Sequence, residues 1–346
     1  MRFPSANYTA GTILSVQNAL LSSTLPKIAP QIADNIFNAT PFFAWMREKG
    51  RLFPWSGGES LEFRLMYGAN PYARAYESYE VLDSGPPVGI GNAVYHRIKY
   101  RIPITYPADA LTANSGPEAV ASLADDLRQQ AEMSIIDTIN TDLFYDYTGN
   151  SLAQDTTKIN SLYSIVEEAA SGSQTQVIGG ITKASTTYPW WHNQYRAKAA
   201  ATSVLTTIRL CYIDCTDGAN SPDLGLMDTA SYAALEEALQ DKRRFTDRRM
   251  AEFNFDNIKY RQCTFMFDRA ISDDDADAEY DGTTFLLNSK FLKLTIMPSR
   301  NFSMYGPNYN EYQDCMLAII HFAGQLVSNN IRFQGVVKGT AWTSSS

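Results

Sequence analysis

Hydrophobic and polar positions along this chain fall into two distinct rhythms. From Glu59 to Tyr67 they alternate, with Leu61, Phe63, Leu65 and Tyr67 on one face and Glu62, Arg64 and Met66 on the other. Alternation returns from Val94 to Ile104. There Val94, His96, Ile98, Tyr100, Ile102 and Ile104 share one face, and Tyr95, Arg97, Lys99 and Arg101 share the opposite one. A period of two over such lengths predicts half-buried strands. The segment between them, Gly68 to Ala93, is rich in Gly, Pro, Asn and Tyr and has no periodic core face, so it reads as an extended loop or drawn-out hairpin. A long aromatic arm invites edge-to-edge association unless something covers it, and partner subunits are the natural cover.

The second rhythm is helical. Ser115-Gly116-Pro117-Glu118 offers a cap, a proline at the first helical position and an acid in the first turn. Val120, Leu123, Leu127, Ala131, Ile135, Ile139 and Leu143 then recur every three or four residues as one apolar stripe. Asp125, Asp126, Arg128, Glu132, Asp137 and Asp142 keep the rest polar, which excludes a membrane span. With Gly149 as its stop, the pattern predicts a helix from Pro117 to Tyr147, about 46 Å long. It would serve as a spine.

The remaining pattern is mixed. Residues 1–50 read as an arm with short helices broken at Pro26, Pro30 and Pro41. Ile159 to Ala170, Ala197 to Cys215 and Thr229 to Lys242 look helical, the last with Ala234, Leu235 and Leu239 inward. Ile258 to Asp268 looks like a strand with a phase break near Cys263, Thr283 to Pro298 like another, and Cys315 to Val327 is a further apolar run. Helices interspersed with non-repeating strands make the class α+β, with no internal repeat.

Thr40-Pro41-Phe42-Phe43, Gly57-Gly58-Glu59, the loop segment Tyr76 to Asp83, and Asn114 to Val120 ahead of the spine form a series of motifs along the chain. Asp146 to Asn150, Ile178-Gly179-Gly180-Ile181, Arg244 to Asp247, Phe291 to Leu294 and Gly324 to Asn329 continue it in order. With the arm and the spine, this series resembles the major capsid proteins of tailed double-stranded DNA bacteriophages, the HK97-like fold. It implies an N-arm (1–50), an extended β-hairpin loop (51–112), a peripheral domain holding the spine helix (113–150) and an axial domain (151–284). Return strands of the peripheral domain (285–323) and a C-terminal strand and tail (324–346) complete the scheme. It further implies a virion protein made in the host bacterial cytoplasm. Its partners would be copies of itself in hexamers and pentamers, a separate scaffolding protein, a portal protein and a cement protein. It would enclose double-stranded DNA without reading its sequence, with no membrane and no cofactor. Only about fifty residues precede the arm, so no N-terminal scaffolding domain is expected and residue 1 should persist in the particle.

Interface candidates follow from this layout. Tyr72, Arg74, Tyr76, Tyr79, Glu80 and Val81 lie on the loop, where no local core pattern covers them. Arg97, Lys99 and Arg101 on the return strand are read as meeting acids of a neighbour, Asp125 and Asp126 on the spine among them. A plain solvated face and a weak, salt-sensitive DNA contact are the rival readings. No lysine stands between Lys49 and Lys99, so the loop has no amine for a covalent bond to a neighbour, and arginine cannot substitute as a nucleophile. The shell is expected to hold non-covalently.

Composition agrees with this picture. In 346 residues there are 20 Tyr and 17 Phe but only 19% charged residues, the balance of a surface much engaged in contacts. A net charge of −8 argues against gripping nucleic acid by neutralisation, though an ordinary acidic domain would carry it equally well.

Four cysteines (Cys211, Cys215, Cys263 and Cys315) make no disulfide framework in a chain this long. Cys211 and Cys215 lie four apart with no second Cys or His pair nearby, so buried thiols are the stronger reading and zinc the weaker. Ile13, Leu14, Val16, Leu20 and Leu21 are interleaved with Ser, Gln and Asn, unlike a signal peptide.

Catalytic signatures are lacking. The chain has no phosphate loop, no Gly-x-Gly-x-x-Gly after a strand and no Gly-x-Ser-x-Gly elbow. His96 and His321 sit among apolar residues and read as packed; His192, beside Trp190 and Trp191, reads as the most exposed. The acidic run Asp273 to Asp281 begins like a calcium loop at Asp277, but Asn288 stands where a bidentate Glu is needed. A solvated rim is the stronger reading and cation binding its rival. An encapsulin-like compartment shell shares the expected fold. A hydrolase with a β-rich lid is the rival of a different class, and it would need a nucleophile and base that the chain does not pair.

Overall fold

The computed structural model describes residues 40–66, 68, 70, 72–78, 81, 85, 89–107, 117–145, 157–183, 188–198, 202–239, 257–271, 282–309 and 313–339. The segments around Gly149, Arg244 to Asp247 and the acidic run 273–281 lie outside them, as do residues 1–39. Helix α1 (Pro41–Glu48) opens with extended Thr40 and a proline in its first turn, and buries Phe42, Phe43, Trp45 and Met46. It delivers the chain to β1 (Leu52–Pro54), which pairs in parallel with β12 (Leu292–Ile296).

One sheet is organised around a single long strand, β14 (Cys315–Ser328, 14 residues). Along one edge it pairs with β4 (Ile98–Pro107), from Cys315 opposite Pro107 to Gly324 opposite Ile98. Along the other edge it pairs first with β13 (Ser303–Tyr309) and then with β12. The spine α2 (Pro117–Leu143, 27 residues) packs against β4 through Ala131, Ile135, Ile139 and Leu143, all buried. That stripe is the one the sequence pattern predicts. Asp142, expected on the polar side, is instead buried, accepting from the Tyr100 hydroxyl at 2.8 Å and facing Lys158 at 3.4 Å.

A second sheet runs β7 (Gln194–Ala197), β15 (Gly335–Lys338), β11 (Thr284–Leu287), β8 (Leu224–Met227), β10 (Cys263–Phe267), β9 (Ile258–Tyr260). Helix α4 (Val204–Asp214) packs on β7 and β15, and α5 (Thr229–Leu239) on β10, with Ala234, Leu235 and Leu239 inward. Their side chains form a separate core around Ile208, Phe265 and Leu286. The architecture is α+β.

Several expected elements change. The stretch from Thr283 to Pro298 is two strands in different sheets. Asn288 turns the chain between them by accepting from the Lys290 amide at 3.0 Å, and Ser289 is anchored on Asp223. The phase break in 258–268 is a hairpin turn at Arg261 and Gln262, with Arg261 in the left-handed region at φ 57°. Ile159 to Ala170 holds only a four-residue helix, α3 (Leu162–Ile165). In place of further helical bonds, the Glu167 amide donates to Asn193 and the Gln174 side chain donates to the Ala169 carbonyl. The helix expected from Ala197 begins at Val204, because Gln194–Ala197 has joined β15 as a strand. The domain breaks placed at 284 and 323 fall inside β11 and β14.

Candidate assembly surfaces

The arm is a two-stranded ribbon of β2 (Ser60–Met66) and β3 (Ile90–His96), paired without slippage from Ser60 opposite His96 to Met66 opposite Ile90. On β2, Leu65 is buried and Leu61 and Phe63 are half-buried, while Glu62 and Arg64 are exposed, as the alternation requires.

The return strand departs from expectation. Its alternation slips by one at Arg97, where the ribbon ends and β4 enters the body sheet. Before the slip Ala93 and Tyr95 are buried and His96 is exposed; after it Ile98, Ile104 and Tyr106 are buried. Tyr95 therefore leaves the charged face assigned to it and His96 leaves the packed one. Reading one unbroken strand misses this, because Val94, His96, Ile98 and Tyr100 keep an even rhythm across a bend.

The base of the arm is fastened at that bend. The Tyr95 hydroxyl donates to the Ser328 carbonyl at 2.5 Å, and burial pushes its ionisation far upward. The ring meets Phe63 edge-on at 6.0 Å. On the outer edge of β3, the Val94 amide donates to the Gly179 carbonyl at 2.9 Å. Gly179 and Gly180 form the turn between β5 (Val177–Ile178) and β6 (Ile181–Thr182), with φ of 62° and 74°. A side chain on Gly179 would press on Ala93 and the Tyr95 ring, so glycine is required both for conformation and for close approach.

Beyond the base, cover disappears. Val81 is 84% exposed, Tyr76 65% and Ile90 62%, and Tyr72 and Arg74 are also exposed. Arg74 donates to the Val81 carbonyl at 3.3 Å across the loop. Tyr79 and Glu80 lie outside the described residues.

Of the cationic candidates, Arg97 is half-buried over the Trp55 ring at 5.9 Å, and its Nε has no hydrogen-bond partner among the described residues. Lys99 and Arg101 point outward and are exposed, as is Asp126; the Asp125 side chain lies outside the described residues. Arg101 stands beside His321 in the β4–β14 register. Burial, Arg300 and Arg101 lower the His321 pKa, and Tyr305 meets its ring edge-on at 5.2 Å. His192, expected to be the most exposed histidine, is half-buried with Nδ1 2.8 Å from the Pro189 carbonyl.

The four cysteines are free and buried, and burial raises the Cys215 and Cys263 thiols. Among the described residues no group of three or more potential ligands is placed to hold a metal ion. No described helix is long and apolar enough to cross a membrane. Sequence reasoning did not find a fully buried network of Glu167, Lys183 and Asn193, because these residues stand apart in the chain and carry no periodic signal.

No protein-family model matches the sequence, and no curated protein is similar to it. Solved structures are. A cyanophage A-1(L) capsid asymmetric unit is similar at 15% identity and a TM-score of 0.53, covering 83% of this chain and 90% of that one. The capsid of Myoviridae phage XM1 is similar at 9% identity and a TM-score of 0.52, covering 85% of this chain and 91% of that one. The SrpI encapsulin of Synechococcus elongatus PCC 7942 is similar at 10% identity and a TM-score of 0.52, covering 86% and 87%. At such identities the likeness is one of fold, and the spine, the two-stranded arm and the two sheets give this chain the HK97-like capsid fold.

Proposed function

We propose that this chain is a major capsid protein, assembling with copies of itself in hexamers and pentamers into an icosahedral shell around a phage double-stranded DNA genome. The observation that carries the reading is the arm, a two-stranded ribbon and its loop with Ile90, Tyr76 and Val81 turned to solvent in the isolated subunit. A single soluble domain gains nothing from such a ribbon, whereas laid across a neighbour it buries area in every repeat of a closed lattice. The β14-centred sheet with the spine would form the peripheral domain, and the second sheet with α4 and α5 the axial one. Scaffolding, portal and cement proteins would act on this lattice from outside the chain.

Arg97, Lys99 and Arg101 would meet acids of a neighbouring subunit, Asp126 among them. Arg101→Glu should then block assembly and a second change, Asp126→Arg, should restore it; failure of both charge-reversal variants to differ from the native chain would remove the pairing.

The encapsulin-like reading is kept because an encapsulin matches as well as the phage XM1 capsid does, each at a TM-score of 0.52. Electron microscopy of purified particles with assay of their contents separates the two. Shells packed with double-stranded DNA support the phage reading, shells packed with protein the encapsulin reading, and a monomer that never assembles defeats both.

A further inference from the structure

Charge is distributed unevenly over the two sheets. The chain carries 37 aspartates and glutamates, yet none falls in β1, β4, β12, β13 or β14, the strands of the body sheet, or in the turn Pro298–Arg300. The same elements contribute Lys99, Arg101, Lys293, Arg300 and His321. Register places four of these on one face. Arg101 stands opposite His321, Lys99 is two residues from Arg101 on β4, and Lys293 stands opposite Val327, an even number of residues from His321 on β14. This face is turned away from the spine, because the alternate residues Ala318, Ile320 and Phe322 of β14 fill the core on the other side.

Among the described residues no acid neutralises this face. Lys99 and Arg101 are exposed, and neither they nor Lys293 and Arg300 have an ion-pair partner among the described residues. Lys293 lies over the Phe53 ring at 4.8 Å and the Phe63 ring at 5.3 Å. Asp314, in the connection between β13 and β14, accepts from the Tyr309 hydroxyl at 3.0 Å. Partial burial and then Arg300 and Arg101 hold the His321 imidazole below its usual range, as guanidinium groups without an opposing acid do. Like charges gathered on one sheet face oppose one another in the isolated subunit.

The complementary charge stands elsewhere in the chain. Asp273, Asp274, Asp275, Asp277, Glu279 and Asp281 place six carboxylates within nine residues. They belong to the segment 272–281, between Ile271, which ends the turn after β10, and Gly282 ahead of β11, so both ends of the segment are tied to the second sheet. A segment of ten residues anchored at both ends can reach about 17 Å outward and return. We infer that the cationic face of the body sheet on one subunit receives the acidic segment 272–281 of a neighbouring subunit. The two surfaces differ and every subunit carries one of each, which is what a heterologous contact repeated around a closed shell requires. The inference rests on the shell assembly proposed above and extends the pairing of Lys99 and Arg101 with a neighbour's acids from Asp126 to this run. Made between exposed charges, the contact sets register and orientation between subunits and is sensitive to salt.

The test is zero-length cross-linking of assembled particles with a carbodiimide, which joins a carboxylate to a lysine amine in contact with it. Subunit multimers should appear on a denaturing gel, and their tryptic maps should contain branched peptides joining Lys99 or Lys293 to the segment 272–281. Their yield should fall several-fold as salt is raised to about 1 M, where the screening length shrinks to about 3 Å. The combined variant Asp273→Asn, Asp274→Asn, Asp275→Asn, Asp277→Asn, Glu279→Gln and Asp281→Asn should lose these peptides. The native particle alone decides the matter if that variant fails to fold. Branched peptides that join Lys99 and Lys293 only to other carboxylates, Asp126 included, overturn the inference and leave shell assembly standing. So do links confined to single subunits, links to a second protein, and the lack of any link from these two lysines. A chain that forms no particle defeats the shell reading and this inference with it.

Discussion

Strand β2 alternates apolar and polar side chains whereas β14 is an almost continuous apolar run, and the two meet different surroundings. In β14 the residues from Phe322 to Ser328 are buried on both faces, with β4 and β12 along its edges and the spine side of the sheet filled. In the arm burial is graded. Tyr95 and Ala93 are fully enclosed at the base, yet Ile90, three residues further out, is 62% exposed. The body sheet satisfies its own apolar surface, and the ribbon satisfies only the part within reach of the body. Burial of apolar area drives both folding and association, so on the proposed reading the region left open is where a second chain would contribute. On the reading proposed above, the tip of the arm would belong energetically to the assembly.

The sharpest way to break this comparison is to remove the tip. Replacing 69–88 by a short Gly-Ser turn should abolish shell formation while the subunit stays folded, as read by electron microscopy and circular dichroism. Normal shells from this variant would show that the arm is not the assembly element. The next effect separates the regions by point substitution. Leu326→Ala in β14 removes a wholly buried side chain opposite Leu294 and should cost about 2–5 kcal/mol in denaturant unfolding. Val81→Ser, at a residue 84% exposed, should change subunit stability by less than about 0.5 kcal/mol yet weaken assembly. Equal effects of the two on unfolding would erase the distinction.

What was legible in the sequence follows the same divide. The β2 face of Leu61, Phe63 and Leu65 and the spine stripe of Ala131, Ile135, Ile139 and Leu143 were readable because each element meets one surface along its length. The slip at Arg97 was not, because the residues on either side of it keep an apolar rhythm whichever sheet they enter. Thr283 to Pro298 hid a change of sheet for a similar reason: both halves are apolar, and only the Asn288 turn separates them. The short α3 and the buried Glu167–Lys183–Asn193 network depend on polar contacts between segments distant in sequence, which periodicity does not record. Among interface candidates, the exposure of Tyr72, Arg74, Tyr76 and Val81 matches the uncovered loop the composition suggested, whereas Arg97 is turned half inward over Trp55.

A smaller effect tests the base of the arm. Tyr95→Phe keeps the ring against Phe63 but removes the donor to the Ser328 carbonyl. The expected loss is about 1–2 kcal/mol of subunit stability, since a buried acceptor loses its partner. Faster hydrogen exchange should be confined to β3 and the end of β14. Exchange that quickens equally across the second sheet would mean that the bend at Arg97 does not separate arm from body.

The smallest expected effect lies on the solvent side of the body sheet, at His321. Arg101 flanks it from β4, Arg300 lies near it ahead of β13, and Tyr305 covers its ring edge-on. Partial burial and then the two guanidinium groups hold its pKa below the ordinary 6.5. Above that value the imidazole is neutral in folded and unfolded chains alike and contributes no pH dependence. As pH falls through 6.5, the unfolded chain takes up a proton that the folded chain still refuses, so stability declines. The decline levels off once pH has passed below the folded-state pKa and both forms are charged. His321→Gln should remove this part of the acid sensitivity, and added salt should reduce it in the native chain by screening the guanidinium groups. The effect should be modest, because the ring is only half-buried and water screens it. Urea titrations of both proteins between neutral and mildly acidic pH supply the measurement; parallel curves would show that the Arg101–Arg300 pair does not act on His321.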